Sequence, residues 1–135
     1  MSPSSTPNGK HILLAEDNED LALLVRRMLE QSGFEVARVG TADDVLPALI
    51  AEQPDLLLLD VMMPSEEGLD GFAICQQIRE GTHRKLPIII MSAITKGTST
   101  SDEHMKRVSG ADVYLHKPFD PVDLLGSIKS LLKLS

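Results

Sequence analysis

One cysteine in 135 residues, Cys75, leaves no partner for an internal disulfide. The fold must therefore hold by packing, and the lone thiol suits a small core residue in a reducing, cytoplasmic compartment. Basic residues are scarce too: 13 Lys and Arg stand against 20 Asp and Glu, a formal charge of −7. That deficit argues against a chain that grips a nucleic-acid phosphate backbone directly, and against docking on an anionic membrane surface. No apolar run approaches the ~20 residues of a membrane span. Residues 1–9 have no basic start followed by an apolar stretch, so they read as a flexible polar tail and not as a leader peptide. Internal repeats and an interdomain linker are also missing. Residues 10–134 read as one domain, long enough to bury a real core.

What is present is an alternation of two hydrophobic periods. Ile12–Ala15 is a short apolar strand closed by Glu16-Asp17-Asn18. From Leu21 the spacing turns helical: Leu21, Leu24, Val25, Met28 and Leu29 share one face, with Arg26, Arg27 and Glu30 opposite. Asn18 is placed to cap this helix and Gly33 to end it. Phe34–Val39 alternates like a strand, and Thr41 is expected to cap a helix to about Gln53, in which Pro47 predicts a kink or a shifted start. Leu56-Leu57-Leu58-Leu59 has no polar alternation, the mark of a strand covered on both faces, and it ends on Asp60. A long loop, Val61–Asp70, leads to a helix capped by Asp70 and running from Gly71 to about Glu80. Leu86–Met91 is another apolar strand, ended by Ser92; a Thr/Ser-rich loop (Ala93–Asp102) and a short helix (103–109) follow. Val113–His116 is the last strand, closed by Lys117-Pro118. Asp120 then caps a final helix with Pro121 at its first position. Five strands alternating with five helices predict an α/β fold: a doubly wound, five-stranded parallel sheet with helices on both faces.

In such a sheet the carboxyl ends of all strands lie on one edge, where open α/β folds bind ligands. Glu16 and Asp17, Asp60, Ser92 and Lys117 all fall there. Each alone has an ordinary explanation: a helix cap, a turn residue, a solvated charge. Together they make one cleft. Three carboxylates in close company repel one another, and a single lysine offsets only part of that. A hard divalent cation offsets the rest, and few protein ligands with open water positions suit Mg²⁺ better than calcium. Carboxylate, hydroxyl, ammonium and Mg²⁺ are the equipment of phosphoryl transfer, with Asp60 as the nucleophile that becomes an acyl phosphate.

Ala-Glu-Asp-Asn-Glu-Asp at 15–20, Leu-Leu-Asp-Val-Met-Met-Pro at 58–64, Met-Ser-Ala at 91–93 and Tyr-Leu-His-Lys-Pro-Phe at 114–119 resemble the receiver domain of bacterial two-component response regulators, over about residues 10–133. The resemblance implies a flavodoxin-like sheet of order 2-1-3-4-5. It implies that Asp60 accepts phosphate from a phosphohistidine on a sensor histidine kinase or phosphotransfer protein. Mg²⁺ would be held by Asp17, Asp60 and the Met62 backbone carbonyl, with Glu16 acting through water. Ser92 and Lys117 would contact the phosphoryl group, and Ser92 with Tyr114 would form the switch. The resemblance further implies a switch and no enzyme beyond its own phosphorylation and dephosphorylation. Helix 1 and the loops near Asp60 would meet the kinase. The signal would leave through the fourth helix, fifth strand and fifth helix, about 103–133, to a downstream protein target, an output domain or a second copy of the chain.

Two features depart from the family pattern, the loop after Pro64 and the slightly long Ser92–Lys117 segment. Ser-Glu-Glu-Gly-Leu stands between Pro64 and Asp70-Gly71, a longer and more acidic loop than usual. Met62 and Ile94, at positions that tune acyl-phosphate hydrolysis in the family, are apolar and predict slow self-dephosphorylation. Two other classes compete. A binding scaffold without phosphorylation would ordinarily have lost the acids, the lysine or the nucleophile. A phosphatase of the haloacid-dehalogenase type needs a second acid two residues after the nucleophile, where Met62 stands.

Overall fold

The computed structural model describes residues 9–66, 68, 71–81, 83, 85–92 and 110–134. Its five strands are β1 (His11–Ala15), β2 (Glu35–Val39), β3 (Leu56–Asp60), β4 (Ile88–Ser92) and β5 (Val113–His116). They form one sheet of order β2-β1-β3-β4-β5, parallel throughout. Four helices are described: α1 (Glu19–Gln31), α2 (Val45–Glu52), α3 (Gly71–Glu80) and α4 (Pro121–Leu131). The helix expected at 103–109 and its leading loop lie outside the described residues, as do the Asp70 cap, Ile94 and residues 1–8 of the polar tail.

Side chains alternate across the sheet, so each strand feeds two cores. Leu13, Leu57, Leu59, Ile88 and Ile90 pack on the side covered by Val45 and Leu49 of α2 and Ile74, Cys75 and Ile78 of α3. Ile12, Leu14, Leu56, Leu58 and Ile89 pack on the other side, under Ala22, Val25 and Leu29 of α1 and Leu124 and Ile128 of α4. All five residues of β3 and of β4 are buried, which is why both read as unbroken apolar runs. Each such Leu or Ile contributes about 1.5–3 kcal/mol by leaving water.

Local signals place most boundaries. Asn18 Oδ1 accepts the Leu21 N–H at 3.0 Å, and Asp120 Oδ1 accepts the Val122 N–H at 2.8 Å, with Pro121 opening α4. Gly33, at φ +96°, takes the left-handed conformation just past α1. Pro47 resolves as a shifted start: Ala42–Asp44 forms a 3₁₀ turn, and the α-helix begins at Val45, so the proline falls in the first turn where its missing N–H costs nothing. Thr41 caps nothing with its side chain; its hydroxyl donates to Asp44 Oδ2 at 2.9 Å instead. The face expected for α1 is also narrower than its spacing suggests. Ala22, Val25 and Leu29 are buried, whereas Leu24 is 60% exposed. At the start of α3 a Cβ on Gly71 would fall 2.6 Å from the Val61 Cα, so only glycine lets the helix approach the end of β3 this closely.

Candidate functional site

Register brings the expected residues to one edge. Ala15 pairs with Leu59, so Glu16 and Asp60 are the next residues on adjacent strands. Asp60 pairs with Met91, which puts Ser92 one step beyond, and Ser92 pairs with His116 on β5, just before Lys117. The Lys117 N–H donates to the Ser92 carbonyl at 2.6 Å and extends this ladder past the strand.

Glu16, Asp60 and Ser92 are the buried polar residues of the described chain, at 1%, 2% and 0% exposure. Two acids share one ammonium: Lys117 Nζ lies 2.6 Å from Glu16 Oε1 and 3.2 Å from Asp60 Oδ2. The remaining carboxylate oxygens take backbone donors, Glu16 Oε2 from Asn18 N–H at 3.0 Å and Asp60 Oδ1 from Met62 N–H at 2.9 Å. Burial pushes the Glu16 carboxyl above the usual glutamate range; the Lys117 and Asn18 hydrogen bonds oppose this and the negative Asp60 adds to it. For Lys117, burial alone would lower the pKa, but the Glu16 hydrogen bond and the two acid charges outweigh it and hold the ammonium above the lysine norm. Burial thus leads the shift at Glu16, and the two acids lead it at Lys117.

Asp17 is exposed and adds a third acid. One carboxylate oxygen from each of Glu16, Asp17 and Asp60 lies within 4.8 Å of the others. Two oxygens on a single Mg²⁺ stand at most about 4.2 Å apart, twice the Mg–O distance. A spacing of that order suits one shared ion, and Asp17 is the member of the three that solvent reaches. An all-oxygen, acid-rich donor set of this spacing fits a hard divalent cation.

Met62 is 68% exposed at the rim, while Tyr114 is nearly buried, its ring edge-on to His116 at 5.4 Å. Beside the site, α1 and the segment after β5 enclose a groove of about 760 Å³ lined by Leu21, Leu24, Met28, Lys117 and Phe119. The exposure of Leu24 belongs to this groove.

The structure also brings in residues the sequence did not flag. Arg38 on β2 donates to the Glu16 carbonyl from Nε at 2.9 Å and from Nη2 at 2.7 Å, and to the Asp17 carbonyl at 3.2 Å. Asp43 accepts from Ser65 Oγ at 2.6 Å and from the Glu66 N–H at 2.9 Å, while the Ala42 N–H donates to the Pro64 carbonyl at 2.9 Å. The described part of the acidic loop after β3 is therefore tied to the entrance of α2. An arginine on a strand at the sheet's edge and an aspartate in a turn both read as solvated charges, so no sequence signal pointed to either.

Five parallel strands in this order, with acids and a lysine gathered at their carboxyl edge, define a receiver-type α/β domain. The chain belongs to the response regulator receiver domain family, which it matches over residues 12–129. It is 38% identical over 126 residues to the transcriptional regulatory protein GltR of Pseudomonas aeruginosa, covering 93% of this chain and 50% of that protein. It is 35% identical over 132 residues to the alkaline phosphatase synthesis transcriptional regulatory protein PhoP of Bacillus subtilis, with the same coverage of 93% and 50%. The chain thus spans about half the length of these curated relatives. Among solved structures it is similar to the receiver domain of Francisella response regulator 1452, at TM-score 0.79 and 28% identity, covering 93% and 98% of the two chains. It is also similar to a CheY-like receiver domain protein from Methanospirillum hungatei, at TM-score 0.78 and 27% identity, covering 92% and 94%. No helix among the described residues is long and apolar enough to cross a membrane.

Proposed function

We propose that this domain is a phosphorylation-dependent signalling switch in which Asp60 is the phosphoacceptor. The observation that carries this reading is the buried Asp60 carboxylate, 3.2 Å from an ammonium it shares with a second buried acid. The family assignment supports the signalling role; the residue roles are inferred from the geometry and the family pattern. Asp17, Asp60 and the Met62 carbonyl would hold Mg²⁺, with Glu16 acting through water. The bound ion supplies positive charge to the phosphoryl oxygens as they approach the acids.

The step itself is an in-line displacement. A carboxylate oxygen of Asp60 attacks phosphorus while the phosphorus–nitrogen bond to the donor imidazole breaks. The electron pair of that bond stays on the imidazole nitrogen, which takes up a proton. Lys117 neutralises phosphoryl oxygen charge, and the Ser92 hydroxyl donates to one of those oxygens. The acyl phosphate carries about −1.5 to −2 charges in place of the single carboxylate charge, and with its new acceptor oxygens it biases Ser92 and Tyr114 towards a second arrangement. That change would pass to the face of β5 and α4.

The donor is proposed to be a phosphohistidine of a sensor kinase or phosphotransfer protein, seated at α1 and the apolar groove beside Lys117. MtrA of Mycobacterium tuberculosis, 33% identical, is named a DNA-binding response regulator, and that activity is said of the whole relative. The −7 charge of this chain supports protein contact as its own route of output. Apolar Met62 at the rim supports a slowly hydrolysed acyl phosphate.

Incubating the chain with acetyl phosphate and Mg²⁺ tests the reading by intact mass. A single alkali-labile adduct of about +80 Da, the mass of one phosphoryl group, is expected in the wild type and not in Asp60→Asn. An adduct of the same yield in Asp60→Asn, or none in the wild type, contradicts it.

A further inference from the structure

Resting on the proposed Mg²⁺-dependent phosphorylation, we infer that Arg38 is a positioning residue that presets the acidic pair Glu16-Asp17 for the cation. Arg38 reaches from β2 across the sheet edge to a loop 21 and 22 residues earlier in the chain. Its three hydrogen bonds end on the main-chain carbonyls of Glu16 and Asp17 and on neither carboxylate. The guanidinium therefore leaves the acid oxygens available to a ligand while fixing the backbone that carries them. A planar fork suits this task, since Nε and Nη2 converge on one carbonyl as Nη2 also reaches the next.

The loop needs such a restraint. Glu16 is anchored twice through its side chain, by Lys117 and by the Asn18 N–H. Asp17 is exposed, and the contact described at its position is the one Arg38 makes to its carbonyl. Where Asp17 sits relative to the other two acids is thus set through the backbone. The Glu16 N–H donates to the Val39 carbonyl at 3.1 Å, so the same strand holds residue 16 through both its N–H and its carbonyl. Removing the fork would leave two carbonyls without their charged donor and free the Asp17 backbone to turn away. Charge repulsion within the cluster favours that turn.

The test compares the wild-type chain, Arg38→Ala and Arg38→Lys by calorimetric Mg²⁺ titration, thermal unfolding and acetyl-phosphate labelling. Loss of an outer-shell partner of this kind weakens metal affinity by about 10- to 100-fold, which is the shift expected for Arg38→Ala. Arg38→Lys keeps the charge without the fork and is expected to fall between the two. Labelling of both variants should be slow at limiting Mg²⁺ and return to the wild-type rate at saturating Mg²⁺, a pattern a mere loop staple would not give. An unchanged Mg²⁺ Kd in Arg38→Lys, or in a folded Arg38→Ala, overturns the inference even if thermal stability drops. Should Arg38→Ala fail to fold, the Arg38→Lys titration decides alone. Wild type that takes up Mg²⁺ and phosphate while the Arg38 variants match it leaves the phosphorylation reading standing and removes only this one. Wild type that binds no Mg²⁺ removes both.

Discussion

At the amino ends of the strands, partly exposed charged side chains bind loops to strands. Arg79 donates to the Gly110 and Leu86 carbonyls at 2.7 Å each and to Asp112 Oδ2 at 2.9 Å, and that same oxygen accepts the Ile88 N–H. Asp55 accepts the His11 N–H, and Glu35 meets the His11 ring at 2.5 Å with both side chains well exposed. At the carboxyl ends, four or five residues further along the same strands, two acids are buried at 1% and 2% exposure around one lysine, and a third acid waits at the rim. One end ties strands to loops through charged side chains that water still reaches. The other keeps a negative surplus where water is excluded, an arrangement that burial energetics disfavour unless something else supplies positive charge. The contrast separates anchoring from chemistry more cleanly than any single residue does.

The largest break in this contrast is expected from Lys117→Met. It removes the ammonium shared by Glu16 and Asp60, and the rate of acetyl-phosphate labelling should fall by about 10²-fold, as for loss of an oxyanion-stabilising donor. Thermal stability should fall as well, and added Mg²⁺ should restore part of it. An unaltered labelling rate would place the lysine outside the chemistry.

A smaller effect of the opposite kind is expected at the other end. Arg79→Ala strands two carbonyls and a carboxylate, a loss of about 1–3 kcal/mol in urea unfolding. Its Mg²⁺ affinity should match wild type. A weakened Mg²⁺ affinity would show that the two ends are coupled through the sheet and would blunt the distinction drawn above.

Much of this was legible in the residues themselves, because the governing rules are local. Leu56–Leu59 announces a strand covered on both faces, Asn18 and Asp120 announce caps, and the strand-end positions of Asp60, Ser92 and Lys117 follow once the sheet is parallel. Two things were not legible. Helical spacing names a face but not how much of it will be covered, so Leu24 reads as core and instead lines a groove, while the small Ala22 lies beneath. Arg38 works through carbonyl oxygens, which every residue carries and no sequence pattern marks. Pro47 sits between these cases: the misfit was visible, and only packing chose a shifted start over a kink.

The negative surplus at the carboxyl edge is measured most directly by thermal unfolding of wild type and Asp60→Asn with and without Mg²⁺. At about a hundredfold excess over Kd the ion should stabilise the wild type by about 2.7 kcal/mol, seen as a rise of several degrees in Tm. Without Mg²⁺, Asp60→Asn should be at least as stable as wild type, since one repelling charge is gone, and it should lose most of the response to the ion. A wild-type Tm that Mg²⁺ leaves unmoved, or an equal rise in both proteins, would contradict the account.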